Sequence, residues 1–243
     1  MEQVSIERLQ FHEPKEGYWL AFSGGKDSTV IYDLAVRSGV RFEAHYNVTG
    51  IDPPELVRHI REHYPTVIRD MPEKSIWQLV ETHGLPTRTR RWCCEDLKER
   101  SAAGRTVVIG IRWAESTQRK SRPLYAACYK DRTKHYLSPI IDWNTEQVWA
   151  HIRQHNLPYC KLYDEGFDRL GCVLCPMLSV GKTARDVTRW PKLGEAWKRA
   201  AYRVYETRTP EQQQKYGSAE AFWQWWISRK AQDKETSQMV LFE

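Results

Sequence analysis

The sequence predicts an α/β protein with a doubly wound parallel sheet and a helical C-terminal appendage. Three observations carry that expectation. Short apolar runs recur along the first 180 residues, separated by segments with helical spacing, the pattern of a parallel sheet with crossover helices. The stretch "WLAFSGGKDSTVIYDLA" passes from a strand through two glycines directly into a helix. After residue 180 the strand signal fades and two amphipathic helical patterns follow.

Taken in order, residues 18–22 alternate as a buried strand, and Ser28 to Arg37 place Val30, Ile31, Leu34 and Ala35 at helical spacing. "FEAHYNVTG" reads as a second strand. "IDPPELVRHIREHY" reads as a helix with Asp52 as N-cap and proline in its first turn. "TVIRD" is a third strand, and "SIWQLVETHG" a short helix ending at Gly84. "RTVVIGI" is a fourth strand and "HYLSPII" a fifth, followed by the helix "NTEQVWAHIRQHN" capped by Asn144 or Thr145. "GEAWKRAAYRVYETR" and "SAEAFWQWWISRKAQ" are the appendage helices. The expected division is therefore residues 1–180 and a basic, Trp-rich segment 181–243.

Ligands of such sheets sit at the carboxyl ends of the strands, so the glycine loop, "NVTGIDPP" and "GIRWAESTQR" are expected to converge. A strand–glycine loop–helix junction aims backbone N–H groups and a positive helix end at one point, which suits a phosphate. Lys26 adds a mobile charge and Ser28 a hydroxyl. The spacing is not that of the Walker A loop, which needs four residues between its first glycine and the Gly-Lys pair.

Composition narrows the class further. Hydrophobic residues make up 41% of 243, and no apolar run approaches bilayer length, so a soluble protein with no membrane partner is expected. The charged N-terminus "MEQVSIERLQ" is not a secretory signal, which points to the cytoplasm. A net charge of +6 favours an anionic partner, a nucleotide included. Six cysteines in such a chain read as ligands or reactive thiols rather than a disulfide framework.

Cys93 and Cys94 are adjacent in "RRWCCEDLK", and Cys172 and Cys175 form the CxxC of "LGCVLCP". Four thiolates from two distant segments could hold zinc, hold a [4Fe–4S] cluster, or remain free for redox work. Adjacent Cα atoms lie about 3.8 Å apart with diverging side chains, which strains two bonds to one small ion. A cubane offers separate iron corners and suits the pair better. Cys128, in "LYAACYK", reads as a small core residue in an apolar setting, and Cys160 as a thiol in a more open loop.

"SGGKDS", "TGIDPPE", "RRWCCEDLK", "GIRWAESTQR", "SPIIDWNTEQVW" and "LYDEGFDRLGCVLCP" occur in the order found in the phosphoadenylylsulfate (PAPS) reductase family. The chain resembles that family, within the PP-loop ATP pyrophosphatase superfamily, over roughly residues 17–178. Its CC…CxxC quartet is similar to that of the cluster-bearing adenylylsulfate reductases and of the sulfur-transfer subunit of DNA phosphorothioation systems. The resemblance implies an adenine nucleotide alpha hydrolase-like fold. It also implies an adenine nucleotide (ATP with Mg2+, or adenylylsulfate or PAPS) bound by Ser23, Gly24, Gly25, Lys26, Asp27, Ser28, Thr49, Gly50, Arg112, Glu115 and Ser116. Lys26, Asp27 and Arg119 would be catalytic, with Asp27 placing Mg2+ or capping its helix, and Cys93, Cys94, Cys172 and Cys175 would hold the cluster.

One departure bears on the reaction. Assimilatory reductases of the family attack sulfur with a cysteine in a C-terminal Glu-Cys-Gly-Leu-His motif, and no cysteine follows Cys175 here. The expectation is therefore an iron–sulfur enzyme that adenylates an acceptor and transfers sulfur to it. A reductase releasing sulfite, and a nucleotide- or redox-sensing module without turnover, are the alternatives. Partners would include a sulfur-donor or electron-donor protein, with homo-oligomerisation left open. Arg88, Arg90 and Arg91, with Trp223, Trp225 and Trp226, would suit a nucleic-acid acceptor through phosphate contacts and stacking, or would serve the nucleotide and internal packing.

Overall fold

The computed structural model describes residues 1–99 and 101–228, which form two compact units. The first comprises residues 1–48, 54–71 and 100–171. Numbered in chain order across both units, its helices are α1 (Glu2–Phe11), α2 (Lys26–Ser38), α3 (Pro54–His63) and α6 (Thr145–Gln154). Its strands are β1 (Tyr18–Ala21), β2 (Phe42–Asn47), β3 (Ile68–Asp70), β4 (Thr106–Val108), β5 (Tyr125–Ala127) and β6 (His135–Leu137).

The six strands are ordered β3-β2-β1-β4-β6-β5. Every neighbouring pair is parallel except β5 with β6, which is antiparallel. The chain moves outward from β1 to β3, then restarts at β4 on the other side of β1. That reversal creates a crevice at the carboxyl ends of β1 and β4, where α/β sheets place their ligands. Leu20, Val30, Ile31, Leu34, Val108, Leu137 and Ile140 are fully buried in the core. Burial of each such side chain contributes about 1.5–3 kcal/mol.

Three local details differ from the sequence expectation. β5 is a three-residue edge strand with mostly exposed side chains, too short to announce itself. β4 ends at Val108, and beyond it the chain passes Asp27, where a side chain on Gly110 would come within 3.0 Å of the Asp27 Cβ. Asp52 does not cap α3, whose first residue is Pro54; its carboxylate instead accepts the Thr49 hydroxyl at 2.8 Å. The Asn144 cap of α6 is as expected, with a reciprocal capping box to Gln147.

Among the described residues, the second unit comprises 49–53, 72–99 and 172–228. Its helices are α4 (Ile76–His83), the single turn α5 (Trp92–Cys94), α7 (Val180–Arg189), α8 (Pro191–Glu206), α9 (Pro210–Tyr216) and α10 (Ala219–Ser228). Ser75 caps α4 in a box with Gln78, and Gly84 ends it at φ +75°. The 3.6-residue pattern of α8 buries Trp197, which meets Trp77 at 5.2 Å and Trp226 at 4.9 Å between ring centroids. Trp226 is fully buried and donates from Nε1 to the Pro86 carbonyl at 2.7 Å. The end of the second appendage helix expected from sequence lies outside the described residues. Among those described, no helix is long and apolar enough to cross a membrane.

Candidate functional site

In the first unit the loop between β1 and α2 is held from several sides. Gly24 adopts φ +70°, and a side chain there would meet Ile60 and Leu56 of α3 at 2.7–2.8 Å, so only glycine fits. Gly25 is the extended N-cap of α2, with no side chain to cover the helix end. The Ser28 hydroxyl turns back to the Gly25 carbonyl at 2.8 Å, and Ser23 Oγ lies 3.2 Å from it. The result is an exposed Ser23 beside the positive N-terminal end of α2, an arrangement suited to phosphate.

Two residues that sequence reasoning left without a role complete the loop. The Lys26 amide donates to the Tyr163 hydroxyl at 2.9 Å, and Lys26 Nζ donates to the Asp168 carbonyl at 3.1 Å. Both partners lie in "LYDEGFDR", downstream of α6. Lys26 is 6% exposed, so its ammonium is held in place rather than waving in solvent. Burial pushes the Tyr163 phenol up, which keeps it a neutral hydroxyl.

Asp27 joins the loop to the segment leaving β4. Its Oδ1 accepts from Arg112 Nε at 2.7 Å, and its Oδ2 lies 3.5 Å from Lys26 Nζ. Arg112 is 2% exposed and also donates to the Trp143 carbonyl at 3.2 Å. Glu115 accepts from the Arg112 amide at 2.9 Å and pairs with Arg119. The structure thus brings Ser23–Ser28, Arg112, Glu115 and Arg119 into one chain of contacts. Ser116 is exposed beside them.

The second unit gathers the cysteines. Cys93 and Cys94 sit on the turn α5, and the CxxC forms a tight turn in which the Cys175 amide donates to the Cys172 carbonyl at 3.3 Å. The Val173 amide donates to the Ile51 carbonyl at 2.8 Å, and Leu174 N to Asp186 Oδ2 at 2.9 Å, which anchors the turn. Arg88 adds bonds to the Pro176 and Leu178 carbonyls. Cys172 Sγ lies 3.9 Å from Thr49 Oγ1, so Thr49 and Gly50 belong to this unit with the thiols.

Cys93 feels the charge of the other three thiols, and Cys172 that of Cys175. The neighbouring Cys93 thiol pulls Cys94 down, opposed by burial and helped by Arg91, whose Nη2 donates to Cys94 Sγ at 3.3 Å. The neighbouring Cys94 in turn pushes Cys93 up. Burial raises Cys172 to about 11, while the adjacent Lys98 ammonium opposes that rise. Four soft donors with cations at their rim form a donor set suited to a thiolate-ligated metal centre.

The two remaining cysteines exchange the characters expected for them. Cys160 is 1% exposed, and burial pushes its thiol up. Cys128 is half-buried just beyond β5, where its amide donates to the Lys134 carbonyl at 2.7 Å. Burial raises its thiol, but the Asp131 and Lys130 amides, the Tyr136 hydroxyl and Lys134 outweigh that and lower it. The register settles its position: Ala127 pairs with His135 at the start of β6, so Cys128 lies at the amino edge of the sheet. The glycine loop leaves the carboxyl edge.

The tryptophans proposed for base stacking are mostly unavailable. Trp223 and Trp226 are buried, and half-buried Trp225 packs on Phe222 and Tyr216. Internal packing is their role. Of the arginines beside the thiols, Arg88 is half-buried on backbone carbonyls, while Arg90 is exposed.

Sheet order, switch point and glycine loop define an α/β domain of the adenine nucleotide alpha hydrolase-like fold. Residues 17–178 match the phosphoadenosine phosphosulfate reductase domain, and the chain belongs to that family. It is 30% identical over 201 residues to an uncharacterized protein of Methanocaldococcus jannaschii, covering 77% of this chain and 42% of that one. It thus spans less than half the length of that relative and of a second one from the same organism. It is 28% identical over 202 residues to adenosine 5'-phosphosulfate reductase 2 of Bacillus subtilis, covering 78% of this chain and 85% of that one. In fold it is similar to the PAPS reductase of Candida auris, with TM-score 0.54, 19% identity, and 69% and 87% of the two chains covered.

Proposed function

We propose that this chain is an adenine-nucleotide enzyme of sulfur chemistry, splitting ATP to activate an acceptor oxygen for replacement by sulfur. The observation that carries the choice is the placement of the two cysteines outside the quartet. Reduction of adenylylsulfate needs a thiolate at the sulfuryl group; Cys128 lies at the opposite sheet edge and Cys160 is sealed in the core. ATP chemistry at the glycine loop needs no such thiol.

In this reading the triphosphate lies over Ser23–Ser28. Amides of Gly24 and Gly25 receive phosphate oxygens, and Lys26 offsets the charge that develops as pyrophosphate leaves. The acceptor oxygen attacks the α-phosphorus, the α–β bond breaks with pyrophosphate leaving, and a hydrosulfide sulfur later displaces AMP. Asp27 holds Lys26 and Arg112 in register, and Arg119 with Glu115 closes the rim. Mg2+ would arrive with the nucleotide as counter-charge. Cys93, Cys94, Cys172 and Cys175 fit a [4Fe–4S] cluster, which when bound supplies iron corners for sulfur or electrons. Arg91 and Lys98 balance the negative charge of that thiolate set.

Reduction is the second reading, favoured by the names of the Bacillus relatives. Anaerobic incubation with ATP or with adenylylsulfate plus a dithiol protein separates the two. Pyrophosphate and AMP from ATP are expected. Sulfite release that disappears in Cys128→Ser or Cys160→Ser would overturn the reading in favour of reduction.

A further inference from the structure

At the far end of α2 from the glycine loop, three helices of the first unit meet over a cluster that the proposed reaction does not use. "HIRQH" places His151 and His155 four residues apart, so both rings lie on one helix face, 4.5 Å apart by centroid. Glu2, from the first turn of α1, faces both. Its Oε2 lies 3.1 Å from His155 Nε2 and 3.5 Å from His151 Nδ1. These three side chains bring one ligand atom each within 4.8 Å of one another.

We propose that Glu2, His151 and His155 form a binding site for a divalent transition-metal ion of the Zn2+ type, stapling α1 to α6. The spacing matches the chemistry. Two donors at Zn–N and Zn–O distances near 2.1 Å in a tetrahedral site lie about 3.3 Å apart. The two carboxylate–imidazole distances bracket that value, and a water would take the fourth position.

The surrounding groups fit the assignment. His151 is 3% exposed in its side chain, and its Nε2 donates to Asp33 Oδ2 at 2.8 Å. A carboxylate on the distal nitrogen fixes the tautomer that leaves Nδ1 free to bind metal, the usual outer-shell partner of a ligating histidine. Arg37 faces His155 from α2, with Nη2 2.9 Å from Nδ1 and Nε 2.6 Å from Asp33 Oδ2. Metal at His155 Nε2 moves the ring proton to Nδ1, so the guanidinium must turn away. Its side chain is 40% exposed and has room to do so. Glu2 and Asp33 are the carboxylates, and Arg37 the cation, that face the two rings.

Titrating the full-length protein with Co2+ and Zn2+, alongside Glu2→Gln and His155→Gln variants, tests the site. The wild type is expected to bind one more equivalent per chain than either variant. The difference spectrum should show tetrahedral Co2+ with nitrogen and oxygen ligands and no thiolate charge transfer, because the quartet is common to all samples. Zn2+ should raise the melting temperature of the wild type and lose that extra rise in both variants. Arg37→Gln should bind at least as tightly as the wild type. Unchanged stoichiometry in both folded variants, or loss of the metal on Arg37→Gln, would overturn the proposal.

Discussion

The glycine loop of the first unit and the cysteine turn of the second are built on opposite principles. In the loop, every charged group has an internal partner: Lys26 has the Asp168 carbonyl, and Asp27 has Arg112. Glycine is required where α3 leaves no space for a side chain. Such a site is preorganised, and its electrostatics are in place before a ligand arrives. The second unit holds Cys93 and Cys94 so close that one is pulled down while the other resists ionisation, with Cys172 and Cys175 adding to the latter. Backbone bonds fix the cysteine turn, and Arg91 and Lys98 stand beside the thiols. Order in the first case comes from side-chain ion pairs and hydrogen bonds, and in the second from hydrogen bonds of the turn's own backbone.

The largest expected effect breaks the second site. Cys172→Ser or Cys175→Ser should abolish the brown colour of anaerobically purified protein, with its absorption near about 400 nm. Colourless wild-type protein carrying stoichiometric zinc would contradict the cluster assignment. The first site should respond through rate rather than fold. Lys26→Ala is expected to lower turnover on the order of 100-fold, about 3 kcal/mol of transition-state stabilisation. Wild-type pyrophosphate release from that variant would reduce Lys26 to a packing residue.

A smaller effect separates preorganisation from ligand contact. Tyr163→Phe removes the acceptor of the Lys26 amide and should cost about 1 kcal/mol of stability, read by denaturant unfolding without nucleotide. The same variant saturated with nucleotide should recover most of that loss, because a phosphate oxygen takes the amide. An equal deficit in both states would place Tyr163 outside the site.

The smallest effect is one of pH, outside both sites. The Arg8 hydrogen bond holds Asp142 below the ordinary carboxylate value of 3.8. Its contribution is therefore complete above that value and is lost as pH falls through the lower folded one. Asp142→Asn should remove under about 1 kcal/mol at neutral pH and nothing in strong acid. An equal difference between the proteins at pH 2 and 7 would show that the pair acts by packing alone.

Much of this architecture is legible in local sequence because it obeys local rules. The alternation in residues 18–22, the helical spacing after Ser28 and the Ser75 and Asn144 caps each depend on residues within a turn or two. The order of motifs was enough to place the family. β5 escaped because an edge strand of three residues buries too little to leave an apolar signature. Asp52 was assigned to the helix end nearest in sequence, but its partner is Thr49 on the other side.

The sequence by itself determined which residues carry charge, which thiols occur in pairs, and where the chain must bend through glycine. Only the tertiary structure decided which of those groups meet. Tyr163 reaches Lys26 across 137 positions, and Arg112 reaches Asp27 across 85. In sequence Cys128 reads as a core residue and Cys160 as a thiol in an open loop, but the sheet sends the first to the amino edge and the core encloses the second. The physical reason is that burial and strand register are properties of the packed chain: a thiol's reactivity depends on the solvent and charges around it, and those come from residues distant in sequence.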